Sequence, residues 1–142
     1  MIPGLIRRFH EAKVAGAAEV AVWGTGKVMR EFLFVDDLAA ACVGVLELSK
    51  AAYDQHTQPT LSHINVGTGE DITIATLANT ISNVVGFEGS VVFDTSKPDG
   101  PPRKLVDTSL LREFGVNQSR PLEQGLNESY QDFLSSEKVR AS

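Results

Sequence analysis

The chain has 142 residues, enough for one domain or less. With 42% hydrophobic residues, 22% charged residues and a mean hydropathy of -0.05, it has the apolar material for a modest core. A net charge of -5 and a pI of about 5.1 exclude a binder of nucleic-acid backbones, which needs a basic face. No apolar run approaches the roughly 20 residues of a bilayer span. No signal-peptide pattern opens the sequence, and the single cysteine, Cys42, leaves no internal disulfide, which fits a reducing cytoplasm.

Pro3 suits the first turn of a helix, where its missing N–H costs nothing. Ile2, Leu5, Ile6, Phe9 and Ala12 recur on one face of that helix, and Gly16 ends it. At about 100° per residue Arg7 points away from this face, while Arg8 flanks it and is the better placed to look into a cleft beside the core. The cluster Arg7, Arg8, His10 and Lys13 otherwise reads as a solvated face. Residues 20–23 form a short strand that meets a Gly-x-Gly turn, Gly24-Thr25-Gly26, suited to tight turning and close approach. Residues 30–35 read as a second strand with Arg30, Phe32 and Phe34 on one face. Arg30 offers a planar fork of donors for a phosphate or carboxylate. Asp36 is placed to cap the helix of residues 37–50, in whose apolar pattern Cys42 falls as a buried thiol without a basic neighbour.

Residues 53–62 are polar, contain Pro59 and read as a surface loop. A strand is expected at residues 61–66, with His63 in it or at its edge, stopped by Gly67-Thr68-Gly69. Thr73 caps the next helix, Leu77, Ala78, Ile81, Val84 and Val85 form its apolar face, and Gly86 ends it. Residues 91–93 make a third strand. The loop of residues 94–104 is held extended by Pro98, Pro101 and Pro102 and carries Asp99, Arg103 and Lys104. A short helix at residues 109–114 closes at Gly115. Pro121 opens the last helix, with Leu122, Gly125, Leu126, Tyr130, Phe133 and Leu134 on one face. Residues 137–142 read as a frayed tail.

The pattern G-x-G-x3-R-x-F-x2-V-x-D, from Gly24 to Asp37, resembles the late region of the extended short-chain dehydrogenases that act on nucleotide sugars. Residues 96–105, Ser-Lys-Pro-Asp-Gly-Pro-Pro-Arg-Lys-Leu, together with His63 to Gly69, narrow the resemblance to the GDP-L-fucose synthase family. It runs from Ile2 to about Leu134 and covers that family's C-terminal region only. The implied fold is mixed α/β: small strands with packed helices, lacking most of a Rossmann sheet, with residues 1–136 as the substrate-binding region. The implied parent enzyme converts GDP-4-dehydro-6-deoxy-D-mannose to GDP-L-fucose with NADPH and dimerises through helices upstream. The resemblance places Arg8, Trp23, Arg30 and Asp99 at substrate-binding positions, and Lys104 as a further phosphate contact. Arg8 and Arg30 would neutralise the diphosphate, Trp23 would pack on a sugar or base, and Asp99 would accept hydrogen bonds from the nucleoside.

The sequence departs from the family in several places. Phe34 stands where His or Tyr is more usual, Pro101 where Thr is usual, and Thr76 where Glu would close a capping box. The cofactor fingerprint Gly-x-Gly-x-x-Gly is absent, since both Gly-x-Gly turns lack the third glycine. The family's catalytic Tyr-x-x-x-Lys is absent too: Thr57 follows Tyr53 and Leu134 follows Tyr130 at that spacing. The epimerising Cys and His are expected upstream of Met1. With three histidines and one cysteine, no metal-ligand spacing stands out. The chain thus reads as part of a longer enzyme, with no catalytic residue and no bound NADP(H) expected of it alone. The alternatives are a stand-alone nucleotide-sugar binding module, or part of another NAD(P)-dependent nucleotide-sugar epimerase or dehydratase.

Overall fold

The structure is a computed structural model; it describes residues 1–116 and 120–141, with the side chains up to residue 136. The elements in chain order are α1 (Ile2–Val14), β1 (Glu19–Trp23), β2 (Met29–Glu31), α2 (Val35–Leu46), α3 (Lys50–His56), β3 (Asp71–Thr73), α4 (Ile74–Val85), β4 (Ser90–Asp94), β5 (Arg103–Lys104), α5 (Ser109–Glu113) and α6 (Leu122–Ala141). The fold is mixed α/β, with β1 paired to β4 and a three-stranded sheet in the order β3-β2-β5. The chain divides into two compact units: Met1–Arg30, Ile72–Arg103 and Pro121–Ser142 form the first, Glu31–Asp71 and Lys104–Arg120 the second.

In the first unit α4 is the central helix. Leu77 and Ile81 on it, with Val85 at its end and Phe9 of α1, are the largest fully buried side chains. Each such side chain, taken out of water, contributes roughly 1.5–3 kcal/mol. Phe9 meets Phe87 edge-on, with ring centroids 5.6 Å apart, and α6 adds Leu126 and Tyr130 to the core. The ends of α4 are closed as its sequence requires. Thr73 Oγ1 accepts from the Thr76 amide at 3.0 Å, and Gly86 takes the left-handed conformation, φ 72°. Lys13 Nζ donates to the Val85 carbonyl at 2.7 Å, a cation on the negative end of the helix. β1 runs parallel to β4, Val20 opposite Val91 and Trp23 opposite Asp94. Val20 and Val22 are buried and their neighbours exposed, the period of a strand with one covered face.

In the second unit the buried Asp37 carboxylate holds Arg120, accepting from its amide at 2.7 Å and from Nε at 3.0 Å. The guanidinium lies over the Phe34 ring, 4.1 Å from its centroid.

Several expectations from the sequence change here. The second strand stops at Glu31, because Phe34 already serves as N-cap of α2, with ψ 143°. Asp36 therefore sits inside the first turn rather than capping it. The helix ends at Leu46 rather than Lys50. Cys42 is exposed: the buried residues of α2 are Asp37 and Ala41, one turn apart, and position 42 lies about 100° round from that line. Residues 50–56 form α3, which takes in the first four residues of the stretch 53–62 read as a loop. Its Ser49 side chain accepts from the Ala52 amide at 3.2 Å, and Lys50 pairs with Asp54 one turn on. Residues 61–66 are not a strand; there is one isolated bridge, Gln58 to Leu61. Asn65 Nδ2 instead donates to the Asp107 carbonyl at 3.1 Å. Of the tail expected from residue 137, the backbone to Ala141 is helical, and its side chains and Ser142 lie outside the described residues.

Candidate functional site

β1 ends against Asp94, whose carbonyl accepts from the Gly24 amide at 3.0 Å. The turn that follows puts Gly24 at φ 87° and Gly26 at φ 74°. No other residue fits there: a Cβ on Gly24 would stand 2.3 Å from Asp99 Oδ1, and one on Gly26 2.5 Å from the Phe93 ring. After the turn the chain extends into β2. Its Met29 amide donates to the Pro102 carbonyl at 2.8 Å, and Ile74 donates to Val28 at 3.0 Å.

β4 leads into the proline-rich segment of residues 95–102 through a turn held by Asp94. Its Oδ1 accepts from the Ser96 amide at 3.0 Å and from the Ser96 hydroxyl at 2.6 Å. Asp99 then reaches back to the glycine turn. Oδ1 accepts from the Thr25 amide at 2.9 Å and Oδ2 from the Thr25 hydroxyl at 2.6 Å. These two bonds, the hydroxyl's first, hold the Asp99 carboxyl below its usual range, and Arg30 and Lys27 add smaller contributions.

A cleft of about 430 Å³ opens here. Arg8, Trp23, Arg30 and Asp99 line it, over an apolar floor that includes Val28 and Ile74. Four of the five residues expected to contact substrate thus share one cleft. Lys104, the fifth, stands exposed on β5 and does not line it. Arg8 Nη1 donates to the Ala21 carbonyl at 2.7 Å. Arg30 Nη1 donates to the Met29 carbonyl at 2.6 Å. Among the described residues neither guanidinium has a carboxylate within salt-bridge distance. The carboxylates of Asp99 and Glu31 are engaged elsewhere. Asp99 is on Thr25, and Glu31 accepts from the Gly69 amide at 2.7 Å and the Val106 amide at 3.1 Å. Trp23 is no core aromatic: it is 67% exposed, with Lys97 Nζ 5.7 Å from its ring centroid. Thr25 and Lys97, which touch the cleft-lining Asp99 and Trp23, are residues that sequence reasoning missed. Thr25 meets its partner 74 positions away, and no local pattern announces that.

Neither glycine turn fits a dinucleotide. The first leads into an extended strand rather than a helix, and its Thr25 amide is taken by Asp99. On the second, the Glu31 carboxylate already sits on the Gly69 amide, where a phosphate would bind. Among the described residues no group of three or more His, Cys, Asp or Glu is arranged to hold a metal ion, and no described helix is long and apolar enough to cross a membrane.

Residues 1–67 match the model of the NAD-dependent epimerase/dehydratase family. The chain is 57% identical over 134 residues to the GDP-L-fucose synthase of Escherichia coli (strain K12), covering 94% of this chain and 42% of that protein. The chain therefore spans about two-fifths of that curated relative. Among solved structures, it resembles a GDP-6-OMe-4-keto-L-xylo-heptose reductase from C. jejuni with TM-score 0.83 and 30% identity, over 95% of this chain and 47% of that one. It also resembles a GDP-L-fucose synthetase from Naegleria fowleri bound to NADP, with TM-score 0.81 and 30% identity, over 96% of this chain and 40% of that one.

Proposed function

We propose that this chain, homologous to the GDP-L-fucose synthases and matching the NAD-dependent epimerase/dehydratase family, carries the GDP-sugar contacts of such an enzyme. The parent reaction turns GDP-4-dehydro-6-deoxy-D-mannose into GDP-L-fucose, with NADPH supplying the hydride. The observation that carries the reading is the pair of arginines in one cleft, each bonded to a backbone carbonyl and neither within salt-bridge distance of a carboxylate among the described residues. Arg30 is half-buried, where a guanidinium without an ion pair is costly, and Arg8 is exposed beside it; a diphosphate between the two removes that cost. The exposed face of Trp23 gives a base or sugar a flat apolar platform at the rim. All three relatives named above act on or make GDP-linked sugars by their names, which supports the nucleotide assignment.

On this reading the chain binds and orients the nucleotide sugar. The dinucleotide and the proton-transferring groups belong to the rest of a cytoplasmic, homodimeric enzyme. Two titrations test it. GDP-L-fucose should bind the chain saturably at one site, and NADPH should be neither bound nor consumed when a GDP-keto sugar is present. Absence of saturable GDP-L-fucose binding would overturn the assignment, and NADPH consumption by the chain alone would overturn the division of labour.

A further inference from the structure

The segment of residues 95–102 forms one wall of the cleft through Pro98, Asp99 and Gly100. It is tied at its two ends, by the Asp94 turn and by the bond from Met29 to Pro102. Three of its residues are prolines with no N–H to donate. Between the two ends, its polar anchor is the Asp99 carboxylate, both of whose oxygens accept from Thr25. The neighbouring Gly100 lies so close to Arg30 that a Cβ there would stand 3.0 Å from Nη2. The wall's position and that of the guanidinium are therefore set together. The Gly24 conformation serves the same contact, since a side chain there would occupy the place of Asp99 Oδ1.

We propose that Thr25 is a positioning residue of the cleft: through its amide and hydroxyl it latches Asp99, and so holds the proline-rich wall against Arg30. This rests on the reading of the cleft as a diphosphate site. The first Gly-x-Gly turn is then a carboxylate receptor within the protein rather than a cradle for phosphate. Its product is a preorganised wall, which lowers the ordering a ligand must impose on binding. The lowered pKa of Asp99 agrees with this, because its two bonds to Thr25 favour the ionised form that makes the latch.

The test measures GDP binding by calorimetry on the full chain and four variants, with amide hydrogen exchange at Thr25 in the absence of ligand. Thr25→Val loses the hydroxyl bond and should weaken GDP about tenfold, the scale of one charge-assisted contact. Thr25→Ser keeps the hydroxyl and should restore the affinity. Asp99→Asn, close to isosteric, should speed Thr25 amide exchange and weaken GDP, and it serves where Thr25→Val folds poorly. Arg30→Ala is the reference for the cleft itself. If Arg30→Ala weakens GDP while Thr25→Val and Asp99→Asn bind it like the wild type, the latch proposal is overturned and the diphosphate site stands. Failure of Thr25→Ser to restore binding overturns it equally. If Arg30→Ala changes nothing, the diphosphate reading falls and the proposal with it.

Discussion

The chain contains the tripeptide Gly-Thr-Gly twice, at residues 24–26 and 67–69, and each copy is held by a distant carboxylate. In the first unit Asp99 takes the Thr25 amide and hydroxyl. In the second unit Glu31 takes the Gly69 amide and, at 3.2 Å, the Thr68 hydroxyl. The surroundings differ. Beside the first turn stand two arginines without a carboxylate partner among the described residues. The second is packed shut, since a Cβ on Gly67 would lie 2.4 Å from Glu31 Oε1 and 2.6 Å from Val106 Cγ2. The same contrast separates the arginines: Arg120 has the Asp37 carboxylate, whereas Arg30 has a backbone carbonyl. A glycine-rich turn therefore says little about ligands until the groups around it are counted.

The largest effects expected from this contrast come from the glycines. Gly24→Ala forces a side chain into a left-handed backbone and onto Asp99, which should cost about 1–3 kcal/mol of stability and abolish GDP binding. Gly67→Ala must displace Glu31 and Val106 and should cost a similar ~1–3 kcal/mol while leaving GDP affinity in place. Thermal unfolding and calorimetric titration of both variants check this, and equal loss of GDP binding would erase the distinction between the turns.

The arginines come next. Arg30→Ala should weaken GDP by roughly 1.5–3 kcal/mol, about tenfold to a hundredfold, with an almost unchanged unfolding midpoint. Arg30→Lys should recover part of that, since an ammonium lacks the fork. Arg120→Ala should do the reverse, costing about 1.5–3 kcal/mol of stability with GDP affinity kept, because the buried Asp37 carboxylate loses its charge-assisted bond from Nε and keeps only the one from the backbone amide.

The smallest effects are those of pH. Asp99 in the first unit and Asp107 in the second both have lowered pKa values; for Asp107 the first cause is its bond from the Ser109 amide. A carboxylate with a depressed folded pKa stabilises the fold fully above its ordinary value, 3.8 here. That contribution is lost as pH falls through the lowered value. Both groups are exposed, so the changes in unfolding midpoint should be slight. Asp107→Asn should flatten part of the acid limb of stability without touching GDP affinity, whereas in Asp99→Asn affinity should fall at neutral pH. An acid titration followed by circular dichroism and by GDP binding separates the two.

Much of the first unit is legible in the sequence because its signals are local and periodic. Leu5, Ile6 and Phe9 bury as their spacing says, Val20 and Val22 alternate, and Thr73 and Gly86 close α4. The second unit is less legible because its structure depends on partners far along the chain. Residues 61–66 have strand composition but no neighbouring strand to bond among the described residues, so they stay irregular. α3 is short and polar, with no buried face to mark it. Phe34 already serves as the N-cap of α2, which cuts the second strand short. As for the cleft, Arg8, Trp23, Arg30 and Asp99 are legible as a set only through the family resemblance. Their meeting in one place depends on β1 lying beside β4, and the Thr25 latch spans 74 positions. No periodicity reports a contact of that kind.

The central claim is that Arg8 and Arg30 together await a diphosphate. GDP titrated into the wild-type chain and into the Arg8→Ala/Arg30→Ala variant, with the unfolding midpoint of each, tests it most directly. One-site binding in the wild type, weakened at least a hundredfold or so in the variant at a nearly equal midpoint, is the result predicted from two charge-assisted contacts. Equal GDP affinity in the two proteins, with the variant's midpoint lowered, would contradict it and make both arginines part of the fold alone.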